Sequence, residues 1–459
     1  MYLTKQKIHC IGIGGAGMSG IAEVLHRRGF IVTGSDSVES DICRKMGAMG
    51  ISIQYGHQPD LIKGAELAIF SSAVKPSNPE RQYATEKGIV QIRRAEVLGD
   101  MTRGGDCIAI AGTHGKTTTT AMAGLVFATA GLQPTVIVGG MLKDTKTNAV
   151  VGSESLTIVE ADEYDRSFLA LSPTAAIVTN IEADHLDCYK DIQDIEDTFV
   201  KFCNQVPFYG LIVACIDSPH AARVLPGIQR RVVTCGIAAD ADYCAVDIRS
   251  TPIATEFKVK RFTVEIGTIT LGVPGIHNVK NALAVIALAC ELGISFDKIA
   301  AGCAAFTGVG RRFDVLGVSE GVTIIDDYAH HPTEIAATIQ AAQSRGFGKV
   351  GALFQPHLYS RTRDLMADFA TSLSAADVVV VTGIYKSREE PIAGVSAQGI
   401  VDLMIKSGHT NVRYIENKES AAAAIATELV AGDVCVVMGA GDITAVAEKM
   451  AQGVAHAGA

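Results

Sequence analysis

Twice in this chain an apolar run leads into a glycine-rich turn and then a helical stretch, an order that fixes a strand, a tight loop and an open helix N-terminus as one unit. The sharper of the two is CIAIAGTHGKTTTTAMAG, in which GTHGKTT spans Gly112 to Thr118. Its chemistry is that of a nucleoside triphosphate cradle. Backbone N–H groups and the positive end of the helix face phosphates, Lys116 adds a mobile charge, and a threonine hydroxyl can hold Mg2+. The general nucleotide loop opens with a glycine where Ile110 stands here, so the match is to a shorter variant, GTxGKT. The other unit, KIHCIGIGGAGMSG, sets Gly12, Gly14 and Gly17 in G-x-G-x-x-G spacing, with Asp36 where the ribose-binding acid of a dinucleotide site belongs. Alone, that second pattern fits a nicotinamide oxidoreductase. Such an enzyme leaves GTHGKTT without a task.

At 459 residues the chain exceeds one ordinary core, and three domains are expected. Residues 1–103 alternate β-rich runs (KIHCIGIG, FIVTGSD, LAIFSSAV) with helical stretches, the pattern of a parallel sheet wrapped by helices. MTRGGD at 101–106 reads as a linker into a second α/β domain over 104–312, with an antiparallel Thr/Val-rich stretch at 243–273. GVGRRFDVLGVSEGV reads as turn-like, and GVTIIDDYAHHPTE restarts the strand-loop-helix rhythm for a third domain over 313–459. ESAAAAIATELV is a helix, and the GVAHAGA tail is expected to fray.

A net charge of −9 supplies no basic field for a phosphate backbone, so no nucleic-acid partner is expected. Eleven cysteines without a C-x-x-C pair fit buried, reduced thiols in a cytoplasmic protein better than a zinc site or a disulfide framework. No signal-peptide pattern opens the chain and no apolar run suggests membrane insertion.

A phosphate loop needs acidic partners for its metal at the ends of neighbouring strands. LTIVEADEYD offers Glu160, Asp162, Glu163 and Asp165, and AAIVTNIEADHLD offers Glu182, Asp184, His185 and Asp187. In HNVKN, Asn278 is a candidate N-cap of the helix that begins there. IIDDYAHHPTE places Asp326, Asp327, His330 and His331 before a helix whose first position is expected at Pro332, and at most one of the adjacent histidines can face a ligand. FQPHLYSRTRD adds His357, Arg361 and Arg363.

Taken in order, GIGGAGMSG, SSAVKPSNPE, GTHGKTTT, VEADEYDRSF, TNIEADHLD, PGIHNVKNALA, GVGRRFD, DDYAHHPTE, QPHLYSRTRD and GAGDI resemble the ATP-dependent Mur ligases of peptidoglycan synthesis over the whole chain. GTHGKTT alone indicates only the superfamily, which includes folylpolyglutamate synthases. The resemblance implies a three-domain α/β architecture: a Rossmann-like N-terminal domain for a UDP-sugar, a P-loop ATPase-like central domain, and a Rossmann-like C-terminal domain that closes over both and brings an amino acid. Gly14, Gly15, Ala16, Gly17, Asp36, Ser71 and Ser72 would then serve the UDP-sugar. Gly112, Thr113, His114, Gly115, Lys116, Thr117 and Thr118 would cradle ATP, with His277 and Asn278 at the adenine and Arg312 and Asp327 at phosphate and ribose. Two Mg2+ ions are implied, held by Thr117, Glu160 and His185, while Tyr328, His330 and Arg361 would face the amino-acid end.

The implied partners are UDP-N-acetylmuramate and L-alanine, and the implied state a monomer or weak homodimer. Catalysis would rest on Lys116, His330 as general base, and Arg361. Many family members carry a basic residue after Q-P-H, whereas this chain has Leu358, which leaves the grip on the alanine carboxylate to Arg361. Lys201, placed like the carbamylated lysine of sister ligases, reads as an ordinary surface lysine. The competing readings are a ligase adding a tripeptide to the same UDP-sugar, the nicotinamide oxidoreductase, and a nucleotide-gated module that hydrolyses ATP without ligating.

Overall fold

The computed structural model describes residues 6–143, 147–153, 155–186, 188–237, 240–251, 254–387 and 389–453. Asp187 and all but the first residue of the GVAHAGA tail lie outside them. The chain divides into two compact units, Met1–Val309 and Gly310–Ala459.

The first unit contains two sheets. In the smaller, the strands Ser52–Tyr55, Ile31–Asp36, Lys7–Ile11, Leu67–Phe70 and Val90–Arg93 lie side by side in that order, all parallel. Chain order reverses between Lys7–Ile11 and Leu67–Phe70, so the crevice beyond their carboxyl ends is where a doubly wound sheet takes a ligand. The helix Ala16–Arg27 follows directly, packing Met18, Ile21, Ala22, Val24 and Leu25 inward. Beneath the crevice a buried carboxylate ties three elements together. Glu80 receives His9 Nε2 at 2.7 Å, His57 Nδ1 at 2.7 Å and the Ser35 hydroxyl at 2.7 Å. The Ser35 carbonyl in turn accepts the Gly12 and Ile13 amides, so this network underlies the glycine turn.

Among the described residues the larger sheet has ten strands. Its centre is Asp106–Ala111, flanked in parallel register by Leu156–Ala161 and Ala175–Val178; Leu211–Cys215 and Val232–Gly236 continue it. The expected antiparallel stretch is present as Tyr243–Ser250, Thr255–Arg261 and Val264–Leu271. Asp106–Ala111 is buried from Cys107 onward, which explains its unbroken apolar sequence. The helix Lys116–Thr129 packs against Ile276–Glu291 and Phe296–Ala305 over this sheet. The segment read as a linker is shorter than expected, because Arg94–Met101 is helical and the strand starts at Asp106.

In the second unit, five parallel strands and one antiparallel edge strand form the sheet Asp314–Ser319, Val322–Asp327, Val434–Met438, Val350–Phe354, Val378–Val381, Val412–Tyr414. The turn-like reading of GVGRRFDVLGVSEGV is corrected here. Asp314–Ser319 is a strand of a hairpin, its alternation interrupted between Val315 and Gly317 by a register shift that hid the period. Pro332 is the first helical residue of Pro332–Gln343, as expected, and Lys418–Ala426 is the alanine-rich helix. None of the eleven cysteines, all among the described residues, forms a disulfide there, and nine are buried. Among the described residues no helix is long and apolar enough to cross a membrane.

Burial alone raises the Glu80 carboxyl, but hydrogen bonds from His9, His57 and Ser35 outweigh it and hold its pKa below the usual range. A depressed folded-state pKa contributes stability above the ordinary glutamate value of about 4.3, lost as pH falls through the folded value. Glu80→Gln should therefore lower the melting midpoint at pH 7, and calorimetry across pH should show the two proteins converging in acid.

Candidate active site

The parallel register brings three strand ends to one edge of the large sheet: the loop after Ala111, Glu160 to Glu163 after the neighbouring strand, and Thr179 and Asn180 after the other. The loop is clamped from the Asn180 side. Its Thr113 amide donates to the Asn180 carbonyl (3.1 Å), its His114 amide to Asn180 Oδ1 (2.8 Å), and the Thr179 hydroxyl donates to the His114 carbonyl (2.6 Å). Gly112, at φ +141°, lies so close to Thr179 that a Cβ would sit 2.0 Å from its hydroxyl oxygen. Gly115, at φ +82°, caps the helix Lys116–Thr129 with no side-chain hydrogen bond to its first turn. Those amides are aimed at the loop, as an anion cradle requires.

Lys116 folds back into this cradle. Its ammonium donates to the Gly112 carbonyl (2.6 Å) and pairs with Glu163 Oε2 (2.7 Å). Burial opposes its charge, yet Glu163, Asp162 and Glu160 override burial and raise its pKa. The acids form two groups. Glu160 stands with Thr117, whose hydroxyl and the Gly139 amide favour its charge, but burial dominates and raises its pKa. Asp162, Glu163 and His185 offer ligand atoms within 4.8 Å of one another. Glu160 Oε1 and Glu163 Oε1 are buried with no hydrogen-bond partner among the described residues. Buried, unsatisfied carboxylate oxygens beside a serviceable hydroxyl and an imidazole fit a hard divalent cation.

His277 and Asn278 lie in the first turn of Ile276–Glu291, and Asn281 of that helix sits where a Gly115 Cβ would clash, 2.6 Å from its Oδ1. Asn278 is not the N-cap. Gly275 is, and the Asn278 amide group reaches back to the Pro274 carbonyl (2.7 Å). Lys201 is exposed on the helix Ile192–Asn204.

At the smaller sheet, Gly14, Gly15, Ala16 and Gly17 form the loop and first turn of Ala16–Arg27, with Asp36 and Ser71, Ser72 at the ends of the two strands that flank Lys7–Ile11. Asp36 is engaged internally: Oδ2 accepts the Gly14 amide (2.8 Å) and Oδ1 the Ser37 amide (2.7 Å). The carboxylate that the spacing marked for a ribose thus shapes the glycine loop.

Within the second unit, Arg312, Asp327, Tyr328, His330 and Arg361 gather around the end of Val322–Asp327. The Tyr328 ring lies 5.2 Å from the Arg312 guanidinium and edge-on to His330. Asp327 binds the Phe313 and Ala329 amides (2.7 and 2.8 Å); burial lifts its pKa to about 6 against Arg312 and those amides. His330 Nδ1 lies 2.8 Å from the Tyr328 carbonyl, a bond only an Nδ1–H can make, so the neutral ring carries its lone pair on Nε2. His331 is the N-cap of Pro332–Gln343 and turns inward. Leu358 is buried at φ +73°, and the buried Arg361 lies one helical turn on, 3.4 Å from His357, whose ring stacks on Tyr385.

Sequence reasoning passed over Thr179, Asn180, Asn281 and the pairing of Lys116 with Glu163. The Thr-Asn pair after an apolar strand was the available signal for the first two.

Family models match three consecutive stretches: Mur ligase family, catalytic domain, at 7–105; Mur ligase middle domain at 110–289; and Mur ligase, glutamate ligase domain, at 311–441. The UDP-N-acetylmuramate–L-alanine ligase of Geobacter sp. (strain M21) is 45% identical over 452 residues, 98% of each chain. That of Salinibacter ruber (strain DSM 13855 / M31) is 44% identical over 97% of this chain and 94% of its own. Among solved structures, the UDP-N-acetylmuramate-alanine ligase MurC of Thermotoga maritima aligns with TM-score 0.84 at 29% identity, covering 97% of this chain and 98% of that one. A murein peptide ligase from Psychrobacter arcticus 273-4 shares the fold at TM-score 0.75 and 24% identity, over 99% of both chains. The chain belongs to the Mur ligase family.

Gly115→Ala should destabilise the protein by about 1–2 kcal/mol through the left-handed backbone alone, with the Asn281 clash added. A thermal melt together with a nucleotide titration should show both a lower midpoint and weakened ATP binding.

Proposed function

We propose that this ligase joins L-alanine to the lactyl carboxylate of UDP-N-acetylmuramate at the expense of ATP, giving UDP-N-acetylmuramoyl-L-alanine, ADP and phosphate for peptidoglycan synthesis in the cytoplasm. The observation that carries the reading is the GTHGKTT cradle with its lysine and two carboxylate groups at adjoining strand ends. The like-named relatives at 44–45% identity supply the substrates. Three functional segments follow, bounded near residues 103 and 312, for UDP-sugar, ATP and amino acid, and a monomer or weak homodimer suffices for them.

The Gly112–Thr118 loop binds the triphosphate through its amides, and Lys116 leaves Glu163 to neutralise charge on the β- and γ-phosphates. Thr117 and Glu160 would hold one Mg2+ ion and His185 with Asp162 and Glu163 a second, and there the ions would supply further charge neutralisation. The lactyl carboxylate attacks the γ-phosphorus in line, ADP leaves, and an acyl phosphate forms; the loop's task is to hold these atoms. His277 and Asn278 hold the adenine, and Arg312 and Asp327 meet phosphate and ribose. Gly14, Gly15, Ala16, Gly17, Asp36, Ser71 and Ser72 hold the UDP-sugar.

The alanine amine then attacks the activated carbonyl, phosphate leaves, and an amide forms. His330 Nε2 accepts the proton released by the amine, and Arg361 pairs with the alanine carboxylate while Tyr328 packs beside it. The buried Leu358 offers no charge for that task, which leaves it to Arg361.

Phosphate release should be measured with ATP, Mg2+ and UDP-N-acetylmuramate while L-alanine, glycine, L-serine or the tripeptide L-alanyl-D-glutamyl-diaminopimelate is added in turn. L-alanine should support turnover; turnover without acceptor, or with the tripeptide only, overturns the assignment. Lys116→Ala should lower kcat by at least about 100-fold, the scale of losing one preorganised charge contact.

A further inference from the structure

One residue beyond Glu163, after Tyr164, two consecutive residues other than glycine hold left-handed backbone: Asp165 (φ +53°, ψ +24°) and Arg166 (φ +53°, ψ +25°). Two such residues in a row cost free energy that surrounding contacts must offset. The loop's own bonds account for part of it, since the Asp162 carbonyl accepts both the Ser167 hydroxyl (3.0 Å) and the Phe168 amide (3.0 Å). Further contacts reach the loop from outside it.

The Arg166 guanidinium reaches the helix Ile192–Asn204 and forks onto it. Nη1 donates to the Thr198 hydroxyl (2.7 Å) and Nη2 to Asp194 Oδ2 (2.7 Å). The Thr198 proton goes to the Asp194 carbonyl (2.7 Å), which leaves the hydroxyl oxygen free to accept from Arg166. Arg166, followed by the Lys190 amide, holds the Asp194 carboxyl below its usual range. The guanidinium also lies over the Tyr189 ring, 4.8 Å from its centre. Tyr189 is buried, and its phenol donates to the Glu163 carbonyl (2.6 Å). One face of this ring therefore carries the arginine while its hydroxyl holds the main chain of a proposed metal carboxylate.

We propose that Arg166 is a positioning residue for the divalent-cation site, fixing the Asp162–Glu163 carboxylates opposite His185 by latching their loop to the helix Ile192–Asn204. This rests on the metal reading of Asp162, Glu163 and His185. A planar fork meets Thr198 and Asp194 at once; an ammonium meets one of them. Supports of this kind govern metal affinity because they hold ligands in place without touching the ion.

The test measures Mn2+ binding by electron paramagnetic resonance, with a non-hydrolysable ATP analogue present, in wild type, R166A, R166K, R166G and D194N, alongside thermal melts. R166A should weaken Mn2+ about 10-fold or more, with R166K and D194N between it and wild type, and R166A/D194N no worse than R166A. R166G accepts the left-handed backbone without cost, so it should fold at least as well as R166A while showing the same loss of Mn2+ affinity. Wild-type Mn2+ affinity in folded R166G and R166A, with only the melting midpoint lowered, overturns the proposal and leaves the metal reading standing. A wild-type protein that binds no Mn2+ with the analogue present overturns both.

Discussion

The register of one buried strand governs this molecule. Asp106–Ala111 pairs in parallel with Leu156–Ala161 on one side and Ala175–Val178 on the other, with Ala111 opposite Ala161 and Val178. Parallel strands finish at the same edge, so the loop that begins at Gly112, the acids that follow Val159 and the Thr179–Asn180 clamp are delivered together. A slip of one residue would turn Glu160 to the opposite face and move Thr179 away from the His114 carbonyl. Side chains that bear the chemistry are thereby placed by core residues that bear none.

The lysine of the cradle already has its counter-charge. A buried ammonium beside carbonyl oxygens and a buried glutamate forms a closed charge pair, while Glu160 stays uncompensated enough for burial to raise its pKa. An incoming triphosphate therefore does not fill a purely positive hole: the ammonium it draws is already paired, whereas Glu160 Oε1 and Glu163 Oε1 have no hydrogen-bond partner among the described residues. Lys116 can leave Glu163 only if another cation replaces it, because a stranded buried carboxylate is costly. On the proposed metal reading, binding of nucleotide and of metal would be coupled on that account.

The architecture was legible because each unit announces itself by an apolar run, a glycine turn and an amphipathic stretch, and the motifs follow one another along the whole chain. What the sequence did not show shares a cause, which is that a side chain's partner is set by three-dimensional neighbours. Asp36 has the spacing of a ribose ligand, and only the folded chain shows that its carboxylate also accepts the Gly14 and Ser37 amides. Asn278 is a good capping residue, but the backbone turns at Gly275, three positions earlier. Asp314–Ser319 lost its period to a single irregularity between Val315 and Gly317. Glu163 was visible as one acid among four; its bond to Lys116 depends on strand register, which composition does not encode.

The cysteines carry a different consequence. Burial pushes the thiols of Cys10, Cys107, Cys203, Cys303 and Cys435 up to about 12, so at neutral pH the nucleophilic thiolate is scarce at each. They sit on the strands and helices that place the two glycine loops and the second unit's sheet, where they act as small apolar fillers. A cysteine-directed electrophile therefore has no purchase on these five while the chain is folded, and alkylation at any of them would report local opening of the scaffold.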